Sequence, residues 1–214
     1  MNLWRTMSIS AIVLSVFAIG GTALVAWTFS ATEKRIAENE RQVLLHQLHA
    51  LIPADEYDNQ LDEDVIQVTA PQQLGSKTPL KIYRARKDQQ PVAAIISAVA
   101  PDGYNGDINL LVAIRYDGTL AGVRVTRHRE TPGLGDAIDE RRSDWIHHFT
   151  GKSLTYPPAR DWKVKRDGGV FDQFTGATVT PRAIVNAVYR ALRYFAQHRD
   201  RLFASNEGQH ANDH

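Results

Sequence analysis

Residues 108–125 read INLLVAIRYDGTLAGVRV. Ile108, Leu110, Val112, Ile114 and Tyr116 occupy every second position, the spacing that lines up one face of a β-strand. Asp117-Gly118 is a tight-turn pair, and Leu120, Val123 and Val125 carry the apolar pattern beyond it. The stretch therefore reads as an antiparallel hairpin. Upstream, residues 81–86 and 91–100 are two more apolar or alternating runs, separated by the polar turn Lys87-Asp88-Gln89-Gln90. Strands joined by such short turns run antiparallel, because a parallel pair needs a crossover of a dozen residues or more. Residues 55–79 hold acids, glutamines and prolines with little periodicity, and read as irregular. Downstream, residues 138–149 predict a short helix. Thr180-Pro181 then opens a longer one, with the Thr180 hydroxyl as N-cap and proline in the first helical position. Ile184, Val188, Ala191, Leu192 and Phe195 mark its buried stripe. The fold class is α+β, a twisted, mostly antiparallel sheet with flanking helices.

Towards the N-terminus, residues 7–29 (MSISAIVLSVFAIGGTALVAWTF) contain no charged side chain. A helix of that length crosses the roughly 30 Å hydrocarbon layer of a membrane. Trp4 and Trp27 stand near its ends, where indole rings favour the interface. The alternative is a cleaved signal peptide with Gly21-Thr22-Ala23 as its small-residue site, but the apolar run continues past that site. Arg5 precedes the span while Lys34, Arg35 and Arg41 follow it, so counting positive charges does not set the orientation. Residues 31–51 predict an amphipathic helix with Ile36, Val43, Leu44, Leu48 and Leu51 on one stripe, ended by Pro53. The expected organisation is an anchor over residues 1–30, an amphipathic stalk over 31–53, a globular domain over 54–204 and a polar tail over 205–214.

Composition removes several functions. Hydrophobic residues make up 43% and charged residues 23% of the 214 positions, the balance of a folded chain. The net charge is +1 with no long basic run, so nucleic acid binding has no electrostatic support. The absence of cysteine excludes disulfides, thiolate nucleophiles and iron–sulfur clusters. Any redox chemistry then needs an organic cofactor or other ligands.

Two stretches could carry chemistry. Residues 172–186, DQFTGATVTPRAIVN, crowd Thr175, Thr178 and Thr180 just before a helix start, where free N–H groups and the macrodipole favour a phosphate. Gly176 and Ala177 let a bulky group approach the backbone. The same residues also suit an ordinary hydroxyl-capped helix start. Residues 126–139, TRHRETPGLGDAID, form a turn-rich loop after a strand, with Glu130 a lone carboxylate among Arg127, His128 and Arg129. Taken alone, this loop suits a salt-bridged hairpin exit equally well. His128, His147 and His148 do not have the spacing of a metal site.

ETPGLG (130–135) followed by TGATVT (175–180) resembles the FMN-binding domain shared by the G subunit of Rnf-type electron transport complexes and the C subunit of sodium-translocating NADH:quinone reductases. The similarity to the Rnf G subunit is the closer of the two. It extends through the N-terminal span, residues 100–114 (APDGYNGDINLLVAI), 143–149 (SDWIHHF) and 167–188. The resemblance implies FMN joined by a phosphoester to Thr178, with Thr175, Gly176, Ala177 and Thr180 in support. It further implies that Glu130, Thr131, Gly133, Leu134 and Gly135 line the flavin, with Trp162 or Phe174 near the ring. The implied role is an electron relay within a membrane complex that couples electron transfer to ion movement. The partners would be the other subunits of the complex, the membrane and a flavin transferase for maturation, with no nucleic acid. The implied location is the bacterial inner membrane, single-pass, with the soluble domain in the periplasm.

Three other readings compete. The shortness of the chain argues against the C subunit of the quinone reductase. The unbroken match of residues 175–180 to the family's flavin attachment motif, Ser or Thr-Gly-Ala-Thr-x-Ser or Thr, argues against a non-redox assembly or sensory domain of the same fold. A hydrolase has no Gly-x-Ser-x-Gly, His-Glu-x-x-His or paired-carboxylate arrangement to support it.

Overall fold

The structure, a computed structural model, describes residues 3–204, so the predicted polar tail over 205–214 lies outside the described residues. The chain divides into two compact units, residues 1–46 and residues from Gln47 onward.

Helix α1 runs unbroken over Leu3–Leu51, so the apolar span and the amphipathic segment are parts of one helix. It is the one described helix long and apolar enough to cross a membrane, with a mean hydropathy of 2.3 in its most apolar window. Its apolar side chains are exposed, Trp4 to 84% and Trp27 to 71%. The Ser8, Ser15, Thr22 and Thr28 hydroxyls each donate to the carbonyl four residues earlier at 2.8–2.9 Å. Each of these polar side chains thereby satisfies itself within the helix, as a hydrocarbon surrounding demands. Of the predicted amphipathic stripe, Leu48 and Leu51 are buried while Ile36 and Val43 are exposed.

The second unit is built on a five-stranded antiparallel meander ordered β1-β2-β3-β4-β5. The strands are β1 (Val65–Val68), β2 (Leu80–Lys87), β3 (Gln90–Gly103), β4 (Gly106–Arg115) and β5 (Leu120–Arg127). The β2–β3 turn takes Asp88 and Gln89 into left-handed backbone, φ 50° and 61°, whose twist matches that of the strands it joins. Residues 55–79, expected to be irregular, contain β1 and the short helix α2 (Pro71–Leu74). Four residues give too short a run for alternation to register, and pairing with β2 makes this segment a strand.

Helix α3 (Val179–Phe203) lies across β3 and β4. Ala94, Ile96, Ala98 and Ala100 of β3 and Ile108, Leu110, Val112 and Ile114 of β4 pack with Ile184, Val188, Ala191, Leu192 and Phe195 of α3. The predicted stripes of hairpin and helix are thus the two sides of one core. Pleat alternation sends Ile95, Leu111 and Ala113 to the opposite face, and these are buried too. Leu48, Leu51, Ile52 and Leu61 are buried outside the α3 core, and a Cβ on Gly122 of β5 would lie 3.0 Å from Leu51. The end of α1 therefore seals the back of the sheet.

Residues 138–149 do not form the expected single helix. They fall into two 3-10 segments, Gly135–Ile138 and Asp144–Phe149, and the Ser143 side chain accepts from Trp145 N–H at the start of the second. Trp145 then fixes the segment by donating from its indole to the Asp172 carbonyl at 2.8 Å.

Candidate functional site

Three segments distant in sequence converge on the side chain of Glu130, which is 5% exposed. One carboxylate oxygen accepts the Asn105 backbone N–H at 3.1 Å, from the tip of the β3–β4 hairpin. The other accepts the hydroxyl of fully buried Thr180, in the first turn of α3, at 2.5 Å. Glycine is required on both sides of this contact. A Cβ on Gly135 would stand 2.6 Å from Glu130 Oε2 and 3.1 Å from Thr180 Oγ1, and one on Gly103 would stand 3.0 Å from Glu130 Oε1. Around the clasp, Thr131 Oγ1 accepts from the Asn105 side chain at 3.1 Å, and the Thr131 carbonyl accepts both Leu134 and Gly135 N–H at 3.1 Å. Gly133, at φ 77°, donates its N–H to Asp136 Oδ1 at 2.7 Å.

The loop and the threonine turn meet a second time. Gly176 takes φ 81°, and a Cβ there would be 3.5 Å from Leu134 Cδ2. Ala177 N–H closes the turn onto the Phe174 carbonyl at 3.1 Å. Thr175 is exposed and Thr178 half-buried. Thr178 is the residue before α3, with helical backbone and no capping bond from its side chain. Its Oγ1 lies 3.5 Å from Arg166 Nη1. Arg166 sits in a 3-10 segment (Lys165–Asp167) that is strapped to both neighbours. Gln173 Oε1 accepts its backbone N–H at 3.2 Å, and Arg182 of α3 donates twice to Asp167 at 2.7 and 2.9 Å. These Arg182 bonds hold the Asp167 carboxyl below the usual carboxylate range. On the loop side, the bonds from Arg141 hold Asp139 down to about 2.

What results is a hydroxyl at a helix start with a cation beside it, in a turn whose Gly176 faces Leu134 and is followed by Val179, apolar side chains 47% and 42% exposed. The first N–H groups of α3 have no intrahelical acceptor, and Pro181 in that turn has none to satisfy. A phosphate on Thr178 Oγ1 would meet that dipole and Arg166, and a flat aromatic ring would find apolar cover. The donor set fits FMN.

Two expectations are corrected. Thr180 is not the N-cap: α3 begins before it, and its hydroxyl is committed to Glu130. Trp162 is 3% exposed and packs among Phe149, Phe171 and Tyr189, so it belongs to the core and not to a ligand surface. Phe174 is half-buried edge-on to Trp145 at 5.3 Å. Neither Asn105, inside the similar stretch 100–114, nor Arg166 is marked by its own spacing as a site residue. Their places depend on the hairpin tip and on the Asp167–Arg182 strap.

Residues 103–193, which hold every one of these side chains, match the FMN-binding domain family, and residues 1–51 match the RnfG N-terminal region. The chain is 49% identical over 203 residues to the G subunit of the ion-translocating oxidoreductase complex of Pseudomonas aeruginosa, covering 95% of each chain. The chain belongs to that G-subunit family. Its likeness to the G subunit of Pseudoalteromonas atlantica is 48% identity over 199 residues, 92% of this chain and 93% of the relative. For the G subunit of Vibrio cholerae it is 47% over 193 residues, 90% and 92%. Among solved structures, this G-subunit family member is similar to Shewanella oneidensis NqrC, at TM-score 0.46 and 23% identity over 69% of this chain and 76% of that one. It is also similar to the C subunit of the Na(+)-translocating NADH-quinone reductase of Parabacteroides distasonis, at TM-score 0.47 and 19% identity over 67% and 78%.

Proposed function

We propose that this chain carries FMN as a phosphoester on Thr178 and relays electrons between other subunits of a membrane complex that couples electron transfer to ion movement. The observation that carries this reading is the half-buried Thr178 hydroxyl, set at the start of α3 with Arg166 Nη1 3.5 Å away. An esterified phosphate keeps one negative charge, which the helix N-terminus and the guanidinium both stabilise. Leu134 and Val179 supply the apolar surface for the ring, and the Glu130–Thr180 bond holds loop and turn in register. When bound, the isoalloxazine ring takes up and releases electrons singly or in pairs. Attachment through the Thr178 hydroxyl leaves the ring unmodified and keeps the cofactor from diffusing away. Residues 7–29 anchor the chain in the bacterial inner membrane, the domain faces the periplasm, and a flavin transferase completes the protein there. Thr175, Gly176 and Ala177 shape the turn, and Thr131, Gly133 and Gly135 shape the facing loop.

Thr178→Ala tests the assignment. The denatured wild-type band should fluoresce as a flavoprotein and the variant band should not, while the variant loses under about 1 kcal/mol of stability. Fluorescence retained by the variant, with FMN mapped to Thr175 or Thr180, would overturn it.

A further inference from the structure

At the other end of α3 from Thr178, the β1–α2 segment and the C-terminal half of the helix enclose a groove of about 870 Å³. Arg190, Arg193, His198 and Arg201 line it from the helix, and among the described residues no aspartate or glutamate lines it. Their spacing, mostly three to five residues, gathers them on one side of the helix. Elsewhere the domain pairs its arginines with acids: Arg86 with Asp64, Arg124 with Glu140 and Arg182 with Asp167. Arg190, Arg193 and Arg201 make no ion pair and no side-chain hydrogen bond among the described residues. Among the described residues, Arg190 Nε is buried without a hydrogen-bond partner. Like charges gathered on one helix face repel, so a bare stripe of them needs a reason.

The opposite wall supplies a second feature. β1 is an edge strand, and Ile66, Gln67 and Val68 line the groove. The Asp64 carbonyl accepts Arg84 N–H at 3.0 Å, and the register then makes Ile66↔Ile82 and Val68↔Leu80 the hydrogen-bonded pairs. The N–H and C=O of Gln67 consequently point away from β2, at the free edge of the sheet.

We infer that this groove receives an extended acidic segment of another protein chain. The segment adds to the β1 edge through Gln67 and places its carboxylates against Arg190, Arg193 and Arg201. Main-chain pairing with an open strand edge is a peptide's mode of binding, and a lipid headgroup has no use for it. Carboxylates supply acceptors for the guanidinium groups of Arg190, Arg193 and Arg201 that line the groove and have no acid beside them among the described residues. The site is separate from Thr178 and does not depend on flavin there.

The test uses the full chain in neutral detergent and a fluorescein-labelled peptide alternating glutamate and threonine, followed by polarisation. The peptide should bind, and raising salt from about 0.1 M to about 1 M, which shortens the Debye length from roughly 10 to roughly 3 Å, should weaken binding several-fold. Arg190→Gln/Arg193→Gln/Arg201→Gln should lose about tenfold or more while keeping its flavin fluorescence. N-methylation of alternate peptide bonds should also weaken binding, whereas Thr178→Ala should leave it unchanged. In the assembled complex, a photo-crosslinking residue in place of Gln67 should label an acid-rich segment of another subunit. Equal binding by wild type and the triple variant would overturn the inference. So would groove-dependent binding to phosphatidylglycerol vesicles but not to the peptide, or Gln67 crosslinks confined to lipid or to residues 205–214 of this chain.

Discussion

Thr180→Val removes one hydroxyl and keeps the side-chain volume, so it isolates the bond between α3 and the loop. In the wild type that hydroxyl donates to Glu130 Oε2 at 2.5 Å, with Thr180 at 0% and Glu130 at 5% exposure. Among the described residues, the valine leaves the Glu130 side chain with the Asn105 N–H, at 3.1 Å, as its remaining donor. Water has little access to repair the loss. A hydrogen bond to a charged group contributes roughly 1.5–3 kcal/mol, and removing one partner of a buried pair leaves the other undersolvated. The burial of both groups places the cost near about 2–3 kcal/mol. For a domain of this size each kcal/mol lowers the midpoint by about 2–4 °C, so melting should fall by roughly 4–12 °C. The assay is thermal unfolding of the detergent-solubilised chain, repeated in a Glu130→Gln background. There the amide is far less costly to leave underbonded, so the Thr180→Val penalty should shrink to about 1 kcal/mol. A Thr180→Val variant within about 0.5 kcal/mol of wild type, or an equal penalty in both backgrounds, would refute the claim that this bond joins the two halves of the site.

Two further outcomes follow from packing and charge. A chain starting at Gln47 should be soluble without detergent and retain the domain's melting midpoint. One starting at Asp55 loses buried Leu48, Leu51 and Ile52 and should fall by more than about 4 kcal/mol, measured by urea unfolding; equal stability of the two would show that the end of α1 does not seal the sheet. Asp139 is held at about 2 in the folded chain against an ordinary 3.8, so its contribution is present above the ordinary value and lost as pH falls from there towards about 2. Because Arg141 is 83% exposed, Arg141→Gln should destabilise by under about 1 kcal/mol near neutral pH and by progressively less as pH falls through about 2, and a difference that does not shrink over that range would count against the pair.

Alternation and turn chemistry are local properties, and they carried the β2–β3 and β4–β5 hairpins, the apolar span and the stripe of α3. Short turns impose antiparallel pairing whatever the rest of the chain does, so the sheet class was legible from residues 81–125 alone. The threonine turn was legible for a different reason, since the six consecutive residues 175–180 carry the resemblance. What sequence could not give was any contact between segments far apart. The strand β1 exists because β2 offers it an edge, and residues 138–149 break into two 3-10 segments because the Trp145 indole is tied to Asp172. Thr180 has the residue type of an N-cap, and only the approach of Glu130, fifty positions earlier, turns its hydroxyl inward. Arg166 reaches Thr178 through an ion pair between Asp167 and Arg182 that no periodicity encodes. Likewise Arg190, Arg193 and Arg201 of α3 line a groove only because the fold places β1 opposite them. Most of the secondary structure and the long apolar helix were determined by local pattern and local chain stiffness; β1, the 3-10 segments, the candidate site and the cationic groove were decided by which distant segments the packed core brings together.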